Sequence, residues 1–285
     1  MVVADRPVGS PGEMGEIARS GFATMERLAP ALRAASGRVV DVIRSAPEVA
    51  MTVPATPVWT VPQALGHLVN VTIRFGLGPE GGGTWADEPP ELAAINEREL
   101  SSLGALDVGD LAGRLHDTVE DVIGRIQRYG ADAPTYKYHG GAAVLADRAL
   151  GILLGEFLIH GMDIAEAIHR PFPIPRSEAA LAIDGAVPIA TGWVDPAAAR
   201  GHTATYEIRI RGGGVYTLAF RDGGLDARDG GTDRADCRIS ADPAAFLPVL
   251  YRRRTPWRFV PTGRLVAWGR RPWLGLSLAG RFHRP

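Results

Sequence analysis

The stretch LLGEFLIHGMDIAEA, residues 153–167, decides how the first half of the chain folds. Leu153, Leu154, Phe157 and Ile164 recur at helical spacing. The pattern runs back to Ala146 and on to His169, with Leu150 and Ile168 on the same side. Glu156 and His160 are four positions apart, so a helix stacks them on one face, one turn from each other. Asp163, three further on, shares that face. A carboxylate and an imidazole so placed grip a divalent metal when a third ligand arrives from another helix of a bundle. The same spacing also suits an ordinary surface pair, and periodicity alone leaves both readings open.

Working outward, the pattern from Gly12 to Ala46 is helical, with Leu28, Leu32, Val39, Val40 and Ile43 spaced by three and four, and Pro30 is expected to kink or divide it. A proline-rich loop, Pro47 to Trp59, follows. Thr60 is placed to cap a helix whose first turn tolerates Pro62 and whose apolar stripe is Ala64, Leu65, Leu68, Val69 and Ile73. His67 lies among these residues and is a candidate third ligand, or else a hydrogen-bonded core histidine. Further helices are expected over Glu91–Leu100, Asp110–Tyr129 and Ser177–Ala190, which together imply a bundle.

After Trp193-Val194-Asp195-Pro196 the period changes to two. Tyr206–Ile210 and Val215–Phe220 alternate around the turn Arg211–Gly214, a hairpin signature. Cys237–Ser240 reads as a strand, Asp242-Pro243 opens a helix to about Tyr251, and Arg264–Trp268 reads as a strand. The expected division is a metal-binding helical bundle over residues 12–195 and a small α+β domain over residues 200–285.

Composition narrows the function. The chain has 285 residues, 46% hydrophobic and 22% charged, with a net charge of −1. No global field favours nucleic acid or an anionic membrane, and no apolar run approaches the roughly 20 residues of a membrane span. The start MVVADRPVGSPGEMGE lacks the pattern of a secretory signal, and a single cysteine, Cys237, rules out an intramolecular disulfide framework; both point to the cytoplasm. One lysine, Lys137, among many arginines fits GC-rich coding and an actinobacterial source.

The paired segments Trp59-Thr60-Val61…Gly66-His67-Leu68 and Gly155-Glu156…His160-Gly161…Asp163-Ile164-Ala165 resemble the N-terminal domain of mycothiol-dependent maleylpyruvate isomerases, of the DinB-like four-helix-bundle superfamily. The similarity covers most of residues 20–190. It implies that His67, Glu156 and His160 bind a divalent metal, usually zinc, with an open position where mycothiol becomes a thiolate and attacks a small-molecule electrophile. Adding to and leaving a cis double bond isomerises it; releasing the adduct is S-transfer. Pro62-Gln63 stand where many relatives carry an acidic residue, a departure expected to alter helix capping more than metal binding. The segment Ala235–Phe246, with Gly263-Arg264-Leu265 and Gly269, resembles the sterol-carrier-protein-like α+β domain.

Remaining features carry weaker expectations. Asp163 is expected to orient His160 or to serve the helix structurally. His139 is expected to shape a turn or to stand at the mouth of the site. Arg264, after the Gly263 turn, is the candidate to reach across the domain cleft and hold an anionic group. Arginines 252–254, 258, 264, 270 and 271 interleave with Tyr251, Trp257, Trp268 and Trp273, which reads as a solvated face rather than a nucleic-acid surface. Gly81–Gly83 lacks the G-K-[ST] ending of a phosphate loop. The competing function is a non-catalytic metal- and lipid- or small-molecule-binding protein. An apolar tunnel would favour that reading, and a polar cleft at the metal site would favour an enzyme.

Overall fold

The computed structural model describes residues 23–45, 52, 53, 56, 59–104 and 107–284. Four helices form the bundle: α1 (Met25–Arg44), α2 (Val61–Leu77), then, after the short α3 (Leu92–Ser101), α4 (Val108–Tyr129). A two-stranded ribbon, β1 (Thr135–Lys137) and β2 (Ala143–Leu145), leads into the fourth, α5 (Ala146–Ala167). Within the bundle α2 packs on α4 and α5, and α1 packs on the same two helices.

Pro30 does not divide its helix. Met25–Arg44 is one element with Pro30 in its second turn, where the ring removes one backbone donor and eight other residues stay buried. Residues 12–22 and 46 of the expected helix, and most of the proline-rich loop, lie outside the described residues. Ile73 is 37% exposed and leaves the expected stripe of α2. The β1–β2 ribbon is additional to the expected elements; strands of three residues are too short to show a period.

α6 (Arg176–Ala186) packs on α5 and also on α8 (Pro243–Leu250). The crossing of α5 and α6 is backbone against backbone: a Cβ added to Gly185 would lie 2.6 Å from the carbonyl carbon of Gly151, and one on Gly151 2.8 Å from the Leu181 carbonyl oxygen. After the short α7 (Pro196–Ala199), which Asp195 caps through the N–H groups of Ala197 and Ala198, the chain becomes β-rich. The strands are β3 (Ala204–Ile210), β4 (Val215–Arg221), β5 (Gly224–Asp229) and β6 (Cys237–Ala241), followed by α8 (Pro243–Leu250) and β7 (Leu265–Trp268).

The sheet order is β5-β4-β3-β6-β7, antiparallel except for the parallel β3–β6 pair. The hairpin expected around Arg211–Gly214 is β3–β4. Ala204, Tyr206 and Ile208 alternate inward and pair with the inward Phe220, Leu218 and Tyr216, as a half-buried sheet requires. β5, an edge strand of alternating partial burial, went unread because its sequence GLDARD has few apolar residues. Asp242 caps α8 through the Ala245 N–H at 3.1 Å. The buried apolar side chains of the bundle and of the sheet form one contiguous cluster.

Candidate metal centre

His67 is positioned by the start of α2. The Gln63 side chain accepts a hydrogen bond from the Thr60 backbone N–H at 2.7 Å, closing the first turn where the sequence lacks the usual acidic residue. One helical turn later His67 enters the bundle 3% exposed, with its ring 4.8 Å from that of Trp59. On α5, Glu156 and His160 meet it. His160 Nε2 lies 3.3 Å and His67 Nε2 3.8 Å from the same oxygen, Glu156 Oε2. One ligand atom from each of the three residues lies within 4.8 Å of the others, and among the described residues this is the one such group.

Zinc bound at roughly 2.0–2.2 Å by tetrahedral ligands holds those ligands about 3.4 Å apart. The spacings of 3.3 and 3.8 Å bracket that value. Protonation also suits a metal. Burial lowers the His67 pKa to about 4, so its imidazole is neutral and its lone pair free. Burial alone would raise Glu156, but His160 and His67 beside its carboxylate outweigh it and hold the carboxyl well below its usual range. Two imidazoles and a carboxylate are a donor set that divalent zinc accepts.

The surroundings hold these groups in place. Asp163, 2% exposed, presents Oδ2 3.7 Å from His160 Nδ1 and lies behind the ring. Arg253, beyond α8, donates from Nε to Asp163 Oδ2 at 3.0 Å and to Oδ1 at 3.2 Å. Tyr251 approaches α5 so closely that a Cβ on Gly155 would lie 2.6 Å from its hydroxyl. Burial, with the Glu156 charge next, raises the pKa of Tyr138 and of Tyr251, so both hydroxyls stay protonated.

The triad opens into a cavity of about 580 Å³ shared between the bundle and the sheet. Trp59, Tyr138, His139, Tyr251 and Arg253 also line it. His139 does more than turn the chain: it is 1% exposed, accepts from the Ala86 N–H at 2.7 Å, and faces Arg74 Nη1 at 3.0 Å. Arg264 is placed elsewhere. It binds Asp242 at 2.8 Å beside the Phe259 ring and does not line the cavity. Arg253 and Arg254 are the arginines that cross, to Asp163 and Glu166 of α5; of the two Arg253 lines the cavity, and nothing in the run Arg252-Arg253-Arg254 distinguishes it in sequence. Trp257 and Trp273 are more than 60% exposed, in keeping with the solvated face. His202 pairs with the Tyr206 hydroxyl at 3.0 Å, and His283 lines the cavity.

Residues 29–165 match the family model described as Mycothiol maleylpyruvate isomerase N-terminal domain. Residues 190–269 match the SCP-2 sterol transfer family. The helical part of the chain is thus similar to the mycothiol maleylpyruvate isomerase N-terminal domain, and the β-rich part to the SCP-2 family. Crystal structures of the mycothiol-dependent maleylpyruvate isomerase and of a histidine-to-alanine mutant of it are similar to this chain at 14% identity. Each match covers 79% of this chain and 88% of the other, with TM-scores of 0.49 and 0.50. At that identity the second likeness speaks for the fold alone, a helical bundle followed by an α+β domain. No curated protein sequence matches. Among the described residues, no helix is long and apolar enough to cross a membrane.

Proposed function

We propose that His67, Glu156 and His160 hold a divalent metal, zinc by the chemistry of the donors, and that the protein is a thiol-dependent enzyme. Its thiol is mycothiol or a related low-molecular-weight thiol, and its reaction is a maleylpyruvate isomerase-like cis–trans isomerisation or an S-transfer to an electrophile. The observation that carries this reading is the convergence of two buried Nε2 atoms on one carboxylate oxygen at the wall of an open cavity. When bound, the metal supplies a Lewis acid beside which a thiol loses its proton near neutral pH.

The chain's own residues prepare that chemistry. His67 stays neutral, and Glu156 brings one negative charge that offsets part of a divalent charge. Asp163 stands behind His160 as the carboxylate that fixes ring orientation, and Arg253 holds Asp163 from the other domain. Trp59 and Tyr138 exclude water from the buried side. In this reading the protein works in the cytoplasm, where thiols stay reduced.

The test is turnover by purified, zinc-loaded protein given mycothiol with maleylpyruvate or a model electrophile. Thiol-dependent turnover that His67→Ala abolishes is expected. No thiol-dependent turnover with any electrophile would remove the reading. Apolar walls of the cavity favour a second one, a non-catalytic metal- and small-molecule-binding protein. That reading expects a stoichiometric bound ligand and no turnover.

A further inference from the structure

The cavity at the triad is more apolar than a small acid requires. Away from His67, Glu156 and His160 it runs between the bundle and the sheet. Ile152 of α5, Ile183 of α6, Ile208 of β3, Leu218 of β4, Phe246 of α8 and Leu278 wall it there, each buried. About 580 Å³ lies in the range that encloses a drug-sized ligand. Of the three arginines on the wall, the two inner ones are already engaged, Arg74 with Glu99 and Asn96 and Arg253 with Asp163, and the third, Arg284, is exposed. A small dicarboxylate would have to surrender its hydration without a guanidinium from either inner arginine. Exposed lining residues, Glu97 and Arg284, mark where the cavity meets solvent.

We propose that the electrophile is an apolar α,β-unsaturated carbonyl compound with an extended alkyl or ring body, rather than a small dicarboxylate. This assignment rests on the thiol-enzyme reading above. The apolar body lies among the six side chains just named, its unsaturated carbon faces the triad, and the hydrophilic thiol enters from the solvent side. In the addition, the thiol sulfur bonds to the β-carbon and the π pair of the C=C bond shifts towards the carbonyl. The thiol proton ends on the α-carbon, giving a saturated thioether. Where the product is an isomer, rotation about the new single bond precedes loss of the thiol and return of the proton to sulfur. No oxidant or further reactant is needed.

Two measurements on the full-length, zinc-loaded protein test this. The first is calorimetric titration with nonanol, an unreactive probe of the apolar wall. Saturable binding with a negative heat-capacity change is expected. The second compares thiol-dependent kcat/KM for crotonaldehyde, a straight-chain nonenal and maleylpyruvate. Nonenal is expected to exceed each of the others by at least about tenfold. Leu218→Phe, which fills the cavity, is expected to reduce the nonenal-to-crotonaldehyde ratio. Absence of nonanol binding overturns the proposal whatever the turnover. Turnover in which crotonaldehyde or maleylpyruvate equals nonenal overturns the substrate class while leaving the thiol reading intact. Nonanol binding without turnover of any electrophile overturns the thiol reading, and the substrate assignment with it.

Discussion

Arg253, from the segment after α8, clasps both oxygens of Asp163, three residues beyond the site histidine His160 on α5. The carboxylate is 2% exposed and lies with Oδ2 3.7 Å from His160 Nδ1, so the segment after α8 fixes a group beside a histidine of the bundle.

Removing either half of this pair is expected to loosen the metal. Asp163→Asn keeps the shape and loses the charge behind His160, so zinc affinity falls about 10–100-fold, as for other groups that orient a ligating histidine. Arg253→Met leaves a buried carboxylate uncompensated and costs about 3–5 kcal/mol of stability. Competition against a chromogenic chelator reads the first effect and chemical denaturation the second. Unchanged zinc affinity in Asp163→Asn would detach Asp163 from the site.

Wild-type protein prepared without chelators is expected to carry one equivalent of divalent metal by elemental analysis. His67→Ala and His160→Ala should each lose it while keeping the far-ultraviolet circular dichroism of the bundle. Metal retained at full stoichiometry in His67→Ala would mean that α2 contributes no ligand.

Gly151→Ala and Gly185→Ala are expected to destabilise strongly, because the new methyl group meets backbone rather than a side chain that can move. Overpacking of this kind costs about 1–3 kcal/mol, or roughly 2–10 °C in Tm at this size. Gly37→Ala, where an added Cβ meets nothing within 4 Å, is the control and should be neutral or slightly stabilising.

Arg148, on α5, reaches Asp229 of β5 through two donors at 2.9 and 3.0 Å. Tyr216 donates to Asp184 Oδ1 of α6 at 2.6 Å. Tyr216→Phe removes that donor from a fully buried carboxylate and is expected to cost about 1–3 kcal/mol. Urea unfolding curves measure this, and a change below a few tenths of a kcal/mol would show that the bond contributes nothing.

Cys237 is fully buried and its thiol is pushed up by burial. Ellman's reagent should find no reactive thiol in native protein and one after unfolding. Cys237→Ala should retain metal binding. Rapid native labelling would contradict the burial.

Much of this was readable in the chain. The inward row of α5 and the alternation of β3 and β4 are set by side-chain period, which burial enforces directly. The Glu156–His160 pairing needed only helical geometry. Bringing His67 to it depended on how two helices pack, which spacing does not encode, and its expectation came from resemblance. Arg253 was harder. It stands in a run of arginines, two of which pair with carboxylates of α5, and which of them faces the cavity is decided by the turn after α8. Arg264 looked equally suited, but Asp242 lies nearer. β1 and β2 are too short to show a period, and β5 carries too few apolar residues.

α6, which packs on both α5 and α8, has a thermodynamic consequence. Two sequence families meet in this chain, yet one contiguous apolar cluster and the Arg148–Asp229 and Arg253–Asp163 pairs run through their junction. Neither half can melt without exposing the surface it shares with the other. Heating should therefore give a single calorimetric transition whose van't Hoff and calorimetric enthalpies agree, and a ligand filling the shared cavity should raise the melting point of both halves together.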